Sequence, residues 1–498
     1  MSAIITEKFR QHNANQFFES FTETSGNTYY LFLGKATPFT SGTTTGSDSS
    51  PPTPQDGEQD ETRAWDSMLA AKKIASTDIT YAIPRRNWVN GTTYDMYEHN
   101  ISSGNTSTSG ASNIYDSTFY FVTSDYRVYK VLDNNGGTAY DGAEPTSTST
   151  SPFALGGYVL KYMYDISTTD IGKYVTTDFI PVATDSTVSA AATDGAIESL
   201  TITAGSGYTD GTYYAAVYGD GTSQGTSSGA IIRITVSSGA IASFGLTAGT
   251  DTTIHAAGAA YTYGYVNLGA GYTFSDSGLT SASNMGGSGG AINVVISPEG
   301  GHGSNAVTEL GGHYIMSAST ITQAENDDFS TANDFRQVGI VVDPTTYGTT
   351  TVASATTARQ TNVVKFASYN GTFEADEVIT QATTGAVGKV VEWDSVLQLL
   401  YYQQESFKGF GTNATTGGLV AFSGTNTITG GTSGATGVPS STSSETVTLA
   451  NSNTLTLTSG YANPELQPDS GDIIYLENRK PIQRASDQTE DIKIIIEF

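Results

Sequence analysis

The chain has 498 residues, with 49 acidic against 22 basic side chains, a net charge of −27 and no cysteine. That length exceeds one ordinary core and predicts roughly two to four domains. The charge disfavours a phosphate backbone or an anionic membrane surface as a partner, and the missing cysteine excludes disulfides, thiolate metal sites and a Cys nucleophile.

The opening MSAIITEKFRQHNANQFFESF has no basic segment followed by an apolar one, so no secretory signal is expected. Nowhere does an uncharged apolar run approach the ~20 residues of a membrane helix. Ile5, Phe9, Phe17, Phe18 and Phe21 predict a short helix with an apolar side over 5–21. SGTTTGSDSSPPTPQDGEQDE (41–61) is a loop by composition. TRAWDSMLAAKKIA (62–75) places Trp65, Met68, Leu69 and Ile74 at roughly helical spacing and predicts a second helix.

The rest reads as strands. STFYFVTSDYRVYKVLDN (117–134) alternates, and so does GYVLKYMYDI (157–166), where Tyr158, Leu160, Tyr162 and Tyr164 oppose Val159, Lys161, Met163 and Asp165. Tyr-rich, β-branched runs between Gly, Asn and Asp turns suit a pleated, half-buried surface. The class is therefore mainly β, with a few short helices.

Two stretches read as inserted β modules. Residues 191–300 hold GAIESLTITAG (195–205) and GAIASFGLTAG (239–249), a weak repeat. Residues 356–455 hold FEADEVITQATTGAVG from Phe373 and FSGTNTITGGTSGATG from Phe422, a repeat with one constant offset of 49 residues. Two copies are too few for a solenoid and predict small paired β units.

Catalytic chemistry stays at background. His302 and His313, with Glu299 and Glu309 nearby, allow a two-His, two-carboxylate metal site to be drawn, but the spacing fits no ligand frame and the flanking glycines favour a loop. GTSQG and GGSGG match a nucleophile elbow without the helix that must follow. No cofactor or small-molecule substrate is expected. AIPRRNWVNG does stand out in so acidic a chain: Arg85 and Arg86 offer planar donors for carboxylates, and Trp88 a face on which one guanidinium could stack. Internal ion pairs and an inter-subunit role both remain open for them.

At the end of the chain, SGDIIYLENRKPI reads as a strand, a charged turn at Glu477–Arg479 and a proline stop. Ile492, Ile494, Ile496 and Phe498 then alternate with Lys493 and Glu497 around Ile495, predicting a strand with one fully buried face.

Tyr475, Glu477, Asn478, Arg479, Pro481 and Ile482, then Asp487, Gln488, Thr489 and Glu490, follow the C-terminal pattern of the baseplate wedge subunit of contractile-tailed bacteriophages that sits as a dimer in each wedge. AIITEKFR, AIPRRNW, VYKVLDN, GYVLKYMYDI and FRQVGIVVDP resemble further landmarks of that family, in order. The resemblance implies a discontinuous framework in parts 1–190, 301–355 and 456–498, interrupted by inserted modules at 191–300 and 356–455. It implies a structural, non-enzymatic component of the virion tail baseplate, assembled in the host cytoplasm. Its partners would be a second copy and other wedge subunits, with no nucleic acid, membrane or substrate. The candidate contacts are Arg85, Arg86, Trp88, Tyr475, Glu477, Asn478, Arg479, Pro481, Asp487 and Glu490. A receptor-binding fibre and a tail-associated depolymerase are the rival readings.

Overall fold

The computed structural model describes residues 6–23, 26–39, 46–223, 225–226, 229–247, 249–275, 277–406, 411–412, 418–449 and 452–498. Ile5, part of the first expected helix, residues 41–45 of the following loop, Gln224 of GTSQG and Ala248 of the weak repeat lie outside them. Among the described residues are 31 strands and five α-helices, so the protein is mainly β. The chain divides into two compact units, one made of 1–16, 80–316 and 495–498, the other of 17–79 and 317–494.

In the first unit, Tyr120–Val122, Arg127–Asp133, Tyr158–Asp165 and Phe153–Leu155 form a four-stranded antiparallel sheet in that order. Tyr158 through Tyr164 are all buried, so this strand is covered on both faces and is not half-exposed as its alternation suggested. The reason is a second layer. Tyr158, Leu160 and Tyr162 pack with Phe119, Phe121 and Tyr129, whereas Val159 and Leu132 belong to another cluster with Ile197, Leu200 and Ile232. That cluster rests on Ser199–Thr203 paired with Ala291–Val295, and on a sheet containing Gly211–Gly219, Ala230–Ser237 and Gly264–Val266.

In the second unit, Tyr29–Gly34 is the centre of a five-stranded sheet, with all six residues buried. Met68–Lys73 lies on one side and Phe335–Val342 on the other. The second expected helix therefore covers only part of its span: the helix is Glu58–Ser67, and the chain turns extended at Met68. Met68, Leu69, Ala70 and Ala71 are consecutive and buried, which a strand between two neighbours accommodates and a helix with one buried face does not. Short helices at Thr168–Tyr174, Ser186–Ala191 and Ala306–Glu309 add to the two read from sequence.

The 49-residue repeat has a direct structural meaning. Val378–Gln381 of the first copy pairs antiparallel with Ile428–Gly430 of the second, Ile379 opposite Gly430 and Gln381 opposite Ile428. Each copy also folds back on its own next strand, and pairing of Asn362–Asn370 with both Leu399–Gln403 and Thr436–Pro439 closes six strands into a barrel. The matched positions Phe373/Phe422, Ile379/Ile428 and Ala386/Ala435 fill one core. Gly385 and Gly434 hold φ of +75° and +66° at equivalent turns, where a Cβ would be strained.

Asp472–Ile482 is one uninterrupted strand, so Glu477–Arg479 is not a turn and Pro481 does not stop it. The strand sits at the edge of the five-stranded sheet. Its register jumps from Asn478↔Gln337 to Ile482↔Phe335, four residues against two, which places Pro481 in a bulge where its missing N–H costs nothing. Thr489–Glu497 follows as the edge strand of a four-stranded sheet. Its aliphatic face is only partly covered: Ile494 is buried, while Ile492, Ile496 and Phe498 are half-buried, because an edge strand has packing on one flank only.

Candidate interaction surface

The sequence-derived candidates fall into two groups, one in each unit. In the first, the segment after the strand Ile79–Pro84 is threaded onto Tyr120–Val122 by Val122 N–H to the Arg86 carbonyl (2.7 Å) and Trp88 N–H to the Val122 carbonyl (2.8 Å). Arg85 donates to Asn87 Oδ1 (2.8 Å) and to the Thr176 carbonyl (2.8 Å). Arg86 donates to the Tyr115 carbonyl (2.6 Å) and lies over the Tyr120 ring at 4.5 Å. The ring under the Arg86 guanidinium is thus Tyr120, where Trp88 was expected, and Trp88 packs edge-on against Tyr140 at 5.9 Å. Both arginines hold loops of their own unit.

Arg86 also lines a cavity of about 390 Å³ with Glu7, Arg10, Asn113, Tyr115, Asp116, His313 and Glu497. Here the first helix, Glu7–Ser20, meets the last residues of the chain. Arg10 pairs with Glu497 at 2.7 Å, Asn113 donates to Glu7 (3.0 Å), and Gln11 donates to the Thr308 carbonyl (3.0 Å). His313 Nδ1 stands 3.6 Å from Glu7, yet burial outweighs this carboxylate and keeps the imidazole below its ordinary pKa. Among the described residues no three His, Asp or Glu side chains cluster as a metal would need.

Glu309, drawn above as a metal ligand, has another task. Its Oε2 lies 2.6 Å from Lys130 Nζ with both side chains essentially inaccessible, and its Oε1 accepts from the N–H groups of Gly303 (2.8 Å) and Asn305 (3.2 Å). Lys130 stands opposite Lys161 in register and over the Tyr97 ring at 4.2 Å. His302 is buried edge-on to the same ring (5.1 Å), held neutral by burial and by the two lysines. Sequence reasoning missed this polar knot. The signal was a lysine inside each of two apolar runs, VYKVLDN and GYVLKYMYDI.

The second group lies along the edge strand and the turn after it. Tyr475 donates to Glu477 (2.9 Å), and burial, then Glu477, push its hydroxyl up to about 12. Glu477 and Arg479 stand 3.7 Å apart, about half exposed. Asn478 points inward, accepting from Gln337 (2.8 Å) and donating to the Pro52 carbonyl (2.8 Å). Asp487 sits exposed in the turn, whereas Glu490 is buried and clamped by Arg484 through two hydrogen bonds of 3.1 and 3.0 Å. Arg484, also absent from the sequence-derived set, donates to the carbonyls of Gln323 and Ser330. Of the tail candidates, Arg479 and Asp487 are thus exposed and Glu477 is about half exposed.

The family model described as Phage-Gp8: Bacteriophage T4, Gp8 matches residues 3–151 and 443–498. Over both stretches, 205 of the 498 residues, the chain is similar to that family. The match supports a structural role in the phage baseplate, alongside other baseplate proteins. The match contains Arg85, Arg86, Trp88 and every tail candidate. It does not take in 152–442, which include GYVLKYMYDI, FRQVGIVVDP and the six-stranded barrel of the 49-residue repeat. No curated protein matches the chain.

Proposed function

We propose that the chain joins neighbouring wedge subunits as a homodimer and rearranges with them when the tail contracts. The observation that carries this reading is the Gp8 match at both ends of the chain. In support, the matched tail supplies an edge strand, Asp472–Ile482, that has one neighbour and presents Glu477, Arg479 and Lys480 toward solvent. Charges on an edge block indiscriminate strand pairing and leave a charge-matched partner welcome. Interfaces carry the job, with no catalytic step, cofactor, nucleic acid or membrane, in a virion component assembled in the host cytoplasm.

Two measurements test this. Sedimentation across a concentration series should give a closed two-fold assembly of about 104 kDa, twice the 52.1 kDa chain; a trimer would move the protein to the fibre class. Reversing the edge charges, Glu477→Lys with Arg479→Glu, should reduce co-purification with the other wedge proteins of the same phage at unchanged Tm. Undiminished capture would remove this strand from the contact surface.

A further inference from the structure

Outside the family match, the sheet built on Gly211–Gly219 carries two exposed tyrosines, Tyr263 and Tyr265, beside Tyr218 and Tyr272, which are half-buried against a small cluster of Ala216, Ile231 and Phe274. Tyr263 and Tyr265 are 58% and 56% exposed, in a region whose other large apolar side chains are mostly covered. Tyr265 stands opposite Tyr218 in register, and their rings stack at 5.7 Å with 25° between planes. Tyr272 braces Tyr218 edge-on at 6.4 Å. The turn before Gly264–Val266 is clamped by Asp220, which accepts from the N–H groups of Thr262 (2.9 Å) and Tyr263 (3.3 Å) and from the Thr262 hydroxyl. The Tyr265 ring and the backbone that carries Tyr263 are therefore held in place before anything binds, which lowers the ordering cost.

A rigid, open aromatic face with hydroxyl tips accepts flat partners whose faces are apolar and whose edges form hydrogen bonds. Nucleobases and pyranose rings both fit that description. Charge separates them. Arg233 is the only Lys or Arg between residues 174 and 335, and its half-buried guanidinium donates to the Asp251 carbonyl (2.8 Å). A polyanion needs clustered cations, so nucleic acid and acidic polysaccharide are both disfavoured. A hydrophobic protein partner would call for exposed aliphatic residues, and among the described residues of this sheet's surroundings only Leu246 reaches 37% exposure. We infer that the face formed by Tyr218, Tyr263, Tyr265 and Tyr272 is a binding site for an uncharged polysaccharide, whose sugar rings stack on Tyr263 and Tyr265. The site is independent of the wedge-joining role and gives the baseplate a second kind of contact.

The test is affinity electrophoresis of the full chain in gels containing dextran, a soluble β-1,4-glucan or a galactomannan, with polygalacturonate and single-stranded DNA as polyanions. Retardation is expected in at least one neutral gel and in neither polyanion. Tyr263→Ala with Tyr265→Ala should weaken it by about tenfold or more, the worth of one or two stacked rings, while Tyr265→Trp retains it. No retardation by any neutral polymer, retardation by polyanions alone, or a double variant that binds as the parent does would each overturn the assignment. So would a change in sedimentation mass of the double variant, which would give the face to contacts between copies of the chain. The parent's own mass tests the wedge reading separately.

Discussion

Replacing Glu309 by Gln is the sharpest probe of the first unit, because it removes a charge and keeps the shape. The amide oxygen can still accept from Gly303 and Asn305. What is lost is, among the described residues, the carboxylate paired with Lys130, whose ammonium lies 2.6 Å away at 0% side-chain exposure. Removing one partner of a buried pair costs about 3–5 kcal/mol, since the remaining ion keeps its desolvation penalty. At roughly 2–4 °C per kcal/mol for a unit of this size, the Tm of its transition should fall by roughly 6–20 °C. Burial already holds Lys130 below its ordinary pKa, and Glu309 is the largest influence opposing that. Without Glu309 the folded pKa drops further below the unfolded one, so the unfolded state binds more protons and stability rises with pH. The deficit measured by calorimetry should therefore shrink from pH 7 to pH 10. Adding Lys130→Met should restore most of the loss at pH 7. A single variant within about 1 kcal/mol of the parent would refute the view of this pair as a folding determinant.

Two further outcomes concern the second unit. Burial, then Glu465, raises Asp328 to about 7 against its ordinary 3.8; the folded state thus binds more protons between those values, and stability falls as pH rises through that window, by up to about 4 kcal/mol. Asp328→Asn should flatten the urea midpoint against pH and raise it at pH 8 while leaving pH 4 unchanged; an unaltered slope would contradict the shift. Arg484→Met strips Glu490 of both charge-assisted bonds and leaves the carbonyls of Gln323 and Ser330 without their donor. A loss of about 3–5 kcal/mol is expected, with Glu490→Gln on the same chain recovering part of it.

The strand class was legible because Tyr- and Val-rich runs between turn residues have few other solutions, and the 49-residue repeat was legible because each copy's Phe, Ile and Ala fill one barrel core. Met68–Lys73 was not, because a short apolar run reads equally as helix or strand until its neighbours at Tyr29–Gly34 and Thr357–Arg359 are known. The charged segment YLENRKPI was misread as a turn for a related reason: edge strands tolerate charge and proline, and nothing local announces an edge. Among the contact candidates, residue type does not give the direction of each side chain. Asn478 and Glu490 turn inward and Glu477 and Arg479 outward, a difference set by the pleat, the bulge and the position of Arg484.

The five-stranded sheet of the second unit draws its strands from residues 29–34, 68–73, 335–342, 357–359 and 472–482. On a growing chain the first two emerge early and can pair, yet one flank of Tyr29–Gly34 stays open until more than 300 residues later, when Phe335–Val342 arrives. The continuous stretch 80–316 of the other unit is complete well before then. The usual order, in which the N-terminal part settles first, is inverted. YYLFLG, six apolar or small residues destined for full burial, waits through that whole interval. Expression yield should therefore depend on how long that flank remains uncovered, through elongation rate and chaperone supply, more than on the final stability of the sheet.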